Sequence, residues 1–166
     1  SFSRLLKELE QSDFITAYYP FGKIKKETLY RVIDEYSLFY LKFIYKKKNV
    51  NWLQLSASPV YKSWSGYAFE SICMDHINKV KAALGIAAVY TEESSFYYKG
   101  TAAEPGTQID LLIDRKDNVI NICEAKFNDK PFSITKQYAN ELREKMRIFQ
   151  EKTKTKKSLF LTVIST

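Results

Sequence analysis

The chain has 166 residues, 45% hydrophobic and 15% aromatic, with only 5 Gly and 4 Pro, a composition that supplies a core and argues against disorder. Its net charge of +7 favours an anionic partner such as nucleic acid, although a lysine-rich solvated surface has the same composition. No apolar run reaches the roughly 18 residues of a membrane span, and Ser1–Gln11 is charged and amphipathic, unlike a signal peptide, so a cytoplasmic protein is expected.

In chain order, Phe2, Leu5, Leu6 and Leu9 mark a short amphipathic helix. Asp13–Tyr19 reads as a strand, Pro20-Phe21-Gly22-Lys23 as a turn, and Thr28–Ile33 as a second strand. Glu35–Tyr45 returns to helix, with Tyr36, Phe39, Tyr40 and Phe43 on one face. This is the back half of a winged helix, so residues 1–45 are expected to be a partial winged-helix segment, with the chain beginning inside a domain. Residues 46–63 read as a linker carrying a short helix around Trp52–Leu55.

The second domain is expected over 64–166. Phe69, Cys73, Ile77, Val80 and Leu84 fall at helical spacing, stopped by Gly85. Short strands follow at Ala87–Thr91 and Ser95–Tyr98, then a loop from Gly100 to Gly106. Gln108–Phe127 reads as two strands around Arg115-Lys116-Asp117-Asn118. Ser133 is placed to cap a helix with the stripe Ile134, Tyr138, Leu142, Met146 and Phe149, and Ser158–Ile164 is a last strand, with the chain expected to be cut at this end too. The order predicts an α/β fold, one sheet with helices packed on it.

The charges in the Gln108–Phe127 hairpin need a reason. With Lys116-Asp117-Asn118 as the loop, facing residues sum to about 234, which sets Asp110 opposite Glu124 with Cβ atoms roughly 5 Å apart. Lys126 then shares a face with Glu124. Two such carboxylates repel unless a cation lies between them, and Lys126 or a divalent metal would serve. That is a pattern for metal-assisted phosphodiester hydrolysis; its bland counterpart is a cross-strand salt bridge. Glu70, at the edge of the preceding helix's apolar stripe, is the candidate third acid, and Lys136, Gln137 and Tyr138 open the helix that could reach the same cleft. Cys73, His76 and Cys123 are conceivable zinc ligands, but a fourth ligand is not evident and both cysteines read as core residues. No phosphate-binding G-x-x-x-x-G-K-[ST] loop and no G-x-S-x-G elbow is present.

Glu70, Asp110 and Glu124-Ala125-Lys126, in helix-strand-strand-strand-helix-strand order, resemble the PD-(D/E)xK nuclease superfamily. WSGYAFESICMDHI, QIDLLIDRKDNVINICEAKF and PFSITKQYANELREK further resemble the C-terminal region of a family of bacterial and archaeal AAA-type ATPases, and PFGKIKKETLYRVIDEYSLFYLKFI resembles its winged-helix end. The resemblance implies a restriction-endonuclease-like αβββαβ core and a chain whose ATPase portion lies elsewhere in the parent protein. It implies Glu70, Asp110 and Glu124 as metal-binding acids, the Ala125 carbonyl as a further ligand, Lys126 as the catalytic lysine, and Mg²⁺ or Mn²⁺ as cofactor. Ile109 stands where the motif often has proline.

The function expected from these readings is DNA hydrolysis. Lys23, Lys25, Lys26 and Lys136 are candidate phosphate contacts, as are the clusters Lys46-Lys47-Lys48 and Lys152/Lys154/Lys156/Lys157. One alternative is a catalytically silent module for DNA binding or ATPase regulation. Another is a protein-interaction platform presenting Phe96, Tyr97 and Tyr98.

Overall fold

Residues 1–23, 27–47 and 49–166 are described in a computed structural model of the chain. The elements run α1 (Phe2–Gln11), β1 (Ile15–Tyr18), β2 (Leu29–Val32), α2 (Glu35–Phe39), a π-helical turn (Tyr40–Ile44), α3 (Trp52–Ser56), α4 (Pro59–Asp75) and α5 (Ile77–Ala83). They continue as β3 (Thr91–Tyr98), β4 (Thr107–Arg115), β5 (Val119–Lys126), α6 (Lys136–Thr153) and β6 (Ser158–Ser165). The fold is mixed α/β: β1 and β2 form a 2-stranded hairpin, and β3–β4–β5–β6 form a 4-stranded sheet in that order. β3, β4 and β5 are antiparallel neighbours, whereas α6 crosses over to bring β6 parallel to β5.

The β4–β5 hairpin turns through Lys116–Asn118, where Asn118 takes the left-handed conformation (φ 65°) that asparagine tolerates. Its register is the expected one, from Leu111 opposite Cys123 to Asp114 opposite Ile120. Both faces of these strands are covered, which is why they read as near-continuous apolar runs. Ile109, Leu112, Ile120 and Ile122 pack with Phe149 of α6 on one side. Leu111, Ile113 and Cys123 pack with Ile86 on the other, among Met74, Ile77 and Val80.

Ile109 and Leu112 share a face although strict alternation would separate them. The β3–β4 pairing explains it. Ser94 faces Leu112 and Phe96 faces Ile109, leaving Asp110 and Leu111 opposite Ser95 alone. This is a β-bulge, a device that re-aims side chains. The bulged ladder leaves the Ser95 carbonyl available, and Phe21 N–H donates to it at 2.7 Å. Pro20 bridges Ser95 in parallel sense, so the start of the β1–β2 loop covers the β3 edge. Phe21 reaches the core, its ring 5.1 Å from Phe149, which is also 5.0 Å from Phe96. Arg31 of β2 pairs with Asp75 of α4 at 2.7 Å. Phe43 and Phe39 meet Trp64 of α4 at 5.7 and 5.3 Å.

Several elements depart from the sequence reading. Thr91–Tyr98 is one bulge-paired strand, and residues 87–90 form turns rather than a strand of their own. The long helix is two, broken at His76 (φ −104°, ψ 29°). α4 begins at Pro59, with the Ser58 hydroxyl accepting from Tyr61 N–H, so residues 59–63 are helix. Thr135, not Ser133, caps α6, and Ile134 lies outside the helix, 48% exposed. The third alternative's aromatic trio is also divided: Phe96 packs on the core, Tyr98 donates to Glu104 at 3.0 Å, and Tyr97 stands exposed.

Phe149 holds α6, the sheet and the hairpin loop together and is fully buried. Phe149→Ala should therefore lower unfolding free energy by about 3–5 kcal/mol in urea titrations followed by circular dichroism. A loss below about 1 kcal/mol would contradict this packing.

Candidate catalytic site

The site is built around Glu124, near the end of β5. Its Oε1 accepts from Tyr138 Oη at 2.7 Å and lies 2.8 Å from Lys126 Nζ. Its Oε2 lies 2.9 Å from Lys145 Nζ. The Glu124 side chain is only 11% exposed, and burial alone would raise its proton affinity. The hydrogen bonds from Lys126, Tyr138 and Lys145 outweigh burial and hold the carboxyl below its ordinary range. Lys126 shows the reciprocal effect. Burial opposes its charge, but Glu124 and Tyr138 hold its pKa above the usual lysine value. Lys126 is thus a cation at neutral pH, not a proton acceptor, and its ammonium also lies 5.4 Å from the Tyr138 ring centre. Burial, then Glu124, pushes the Tyr138 hydroxyl up to about 12.

Asp110 is placed differently from the expectation. The β4–β5 ladder stops at Leu111–Cys123, one step short of an Asp110–Glu124 pair. The bulge turns Asp110 to line a cavity with Leu111, Met74 and Ile77, on the α4–α5 side of the sheet. Gln108 Nε2 donates to Asp110 Oδ1 at 2.7 Å. Glu70 comes from α4, and it senses both halves of the site. Burial pushes its carboxyl up to about 7, helped by the Asp110 and Glu124 carboxylates and opposed by Lys126 and Lys145. Glu70, Asp110, Glu124 and Lys126 therefore share one electrostatic neighbourhood. Ala125 lies between the last two, opposite Ile164 of β6.

Lys145 belongs to this constellation and was not singled out by the sequence reading. It follows Tyr138 by 7 residues, two helical turns, so both project from one face of α6. Gln137 instead bonds Glu141, and Lys136 is exposed in the first turn. Lys23 pairs with Glu27 at 3.3 Å, and Lys25, Lys26 and Lys48 lie outside the described residues. Two lysines of the late basic cluster are engaged within the chain: Lys152 with Glu104 at 2.5 Å, and Lys157 with Asp114. Lys46 and Lys47 lie over the rings of Tyr45 and Phe43.

Glu70, Asp110 and Glu124 offer hard oxygen donors, and the mutual repulsion carried by Glu70 is what a divalent cation would relieve. In chemical type the donor set fits Mg²⁺ or Mn²⁺. Among the described residues no three acidic, histidine or cysteine side chains converge on one point, because Glu124 is turned to its lysines and Asp110 to the other face. Zinc fits poorly: Cys73 and Cys123 are buried free thiols, and burial pushes Cys123 up to about 12, away from the thiolate that zinc needs. No protein-family model, curated protein or solved structure matches the chain.

The raised Glu70 value has a consequence for stability. Its folded pKa of about 7 exceeds the ordinary 4.5, so its contribution is fully present below pH 4.5 and is lost as pH rises through 7. Glu70→Gln removes that penalty. Without divalent ions, it should raise the melting temperature by about 2–4 °C at pH 8.5, corresponding to about 1 kcal/mol after allowance for partial exposure, and leave it unchanged near pH 4. An equal shift at both pH values would contradict the placement of Glu70.

Proposed function

We propose that residues 64–166 form a restriction-endonuclease-like, PD-(D/E)xK nuclease domain that hydrolyses DNA phosphodiester bonds with Mg²⁺ or Mn²⁺. We further propose that it belongs to the C-terminal part of an AAA-type ATPase, preceded by a partial winged helix over residues 1–45. The observation that carries this reading is the Lys126–Glu124–Lys145 cluster electrostatically coupled to Glu70, whose proton affinity is raised by burial and then by Asp110. Structural ion pairs are seldom built around a half-buried carboxyl with a pKa near neutrality; functional sites often are. The element order helix, three strands, helix, strand supports the same reading, with α4 and α5 in place of one helix.

Glu70, Asp110, Glu124 and the Ala125 carbonyl are the proposed ligands; to hold one cation, Glu124 would have to leave its lysines and Asp110 turn towards it from the other face of the sheet. Bound there, it would supply positive charge to the phosphate as negative charge develops. The chain's own residues supply the rest. Lys126, kept protonated, donates to a water or phosphate oxygen and fixes its approach. Lys145 brings a second ammonium to the same carboxylate. Glu70, whose proton affinity burial raises in the metal-free chain, would be held ionised by the cation and would act as a ligand. Tyr138 holds Glu124 in orientation through its 2.7 Å hydrogen bond.

A second reading, a catalytically silent module for DNA binding or ATPase regulation, is favoured by one observation: both Glu124 oxygens are already taken by the chain's own cations. Cleavage separates the two. Supercoiled plasmid and circular single-stranded DNA should be cut with Mg²⁺ or Mn²⁺ and spared in chelator. Lys126→Ala and Glu124→Gln should each reduce the rate by about 100-fold or more, and the exposed Lys7→Ala on α1 should change it little. Absence of cleavage by the unmodified chain, or cleavage indifferent to both substitutions, would give the silent reading precedence.

A further inference from the structure

We infer that the cavity beside Asp110 receives one unstacked nucleobase of a single-stranded DNA substrate, placing the adjoining phosphate at the catalytic acids. The inference rests on the nuclease reading above and adds a substrate class to it. The cavity measures about 280 Å³ and lies between the β1–β2 hairpin and the bulged part of the sheet. This is just under the ~300–1,000 Å³ of pockets for drug-sized ligands, the scale of a single nucleoside.

The wall chemistry points to a base rather than to an ion. Tyr18, on the Arg31 face of the hairpin, contributes aromatic surface, and Met74, Ile77 and Leu111 contribute apolar surface from beneath. Its charged members besides Asp110 are already paired: Arg31 with Asp75 at 2.7 Å, and Glu93 with Lys81 at 2.8 Å. A phosphate would have to break the Arg31–Asp75 pair and would face the Glu93 and Asp110 carboxylates. A planar base needs no such exchange, because stacking on an aromatic ring is indifferent to base identity.

The walls are built rather than incidental. The hairpin is fastened by the Phe21–Ser95 backbone hydrogen bond, by Phe21 against Phe149, and by Arg31 to Asp75. The bulge that admits this contact is also what turns Asp110 into the cavity. A base paired within a duplex cannot reach into a recess between hairpin and sheet; an unpaired or extruded one can.

The test uses the full 166-residue chain in Ca²⁺ and three fluorescein-labelled DNA probes: a single strand, the same sequence as duplex, and a fully abasic strand of equal length. Fluorescence anisotropy should show the single strand bound about tenfold more tightly than either other probe. The double variant Tyr18→Ala with Tyr19→Ala should lose about tenfold on the single strand and nothing on the abasic strand. The corresponding Phe double variant should retain binding, which guards against misfolding of the alanine protein. Thr16→Trp, which adds bulk on the Arg31 face that lines the cavity and removes no ring, should reproduce the loss.

Equal affinity for the based and abasic strands would overturn the inference. So would indifference of single-strand binding to both the alanine pair and Thr16→Trp. Metal-dependent cleavage measured on the same samples reports the nuclease reading separately. Cleavage retained without base-dependent binding defeats the cavity assignment alone. Base-dependent binding without cleavage supports the cavity and defeats the nuclease.

Discussion

Glu124 is a carboxylate taken almost out of water, and its charge is sustained by three donors. Two of them, Tyr138 and Lys145, reach it from α6, and the third, Lys126, comes from its own strand. Removing any one would leave the others to meet the desolvation cost, so the contact ties the end of β5 to α6 and sets where both lie. α6 is fixed at its other end by Leu142, Ile148 and Phe149, all buried. The site and the core are thus two ends of one helix–sheet contact.

The second constraint is the bulge at Asp110–Leu111. A regular strand would have put Asp110 beside Glu124 on the α6 face. The extra residue sends Asp110 to the α4–α5 side and leaves Glu70 to couple electrostatically to both carboxylates. The same irregularity provides the Ser95 carbonyl for the Phe21 amide, so the residues read as a winged-helix end dock on the sheet where the acids emerge. One local break in a ladder therefore positions a candidate metal ligand, a cavity wall and a neighbouring segment.

Much of this was legible in the sequence. The polar turn at Lys116–Asn118 fixed the hairpin register, and Glu124 and Lys126 fell at its end as expected. The α/β order was also readable, from runs such as Ser158–Ile164 and the stripe ending at Phe149. What escaped has identifiable causes. Asp110-Leu111-Leu112-Ile113 is apolar on both faces after its first residue, so the sequence pattern carries no trace of the shifted parity. Lys145 looks like any solvated helix lysine until the partner strand is placed. The break at His76 was hidden because Cys73, Ile77 and Val80 keep helical spacing across it. The Ser133 reading failed by two residues because Thr135 offers the same hydroxyl chemistry nearer the helix.

The central proposal is that Glu70, Asp110 and Glu124, apart in this structure, gather around one divalent cation in exchange for the lysines on Glu124. Calorimetric titration of Mn²⁺ into the chain and into Asp110→Asn tests it most directly. The account predicts one saturable binding event that disappears in Asp110→Asn. No binding to the unmodified chain, or identical binding in the variant, would contradict it.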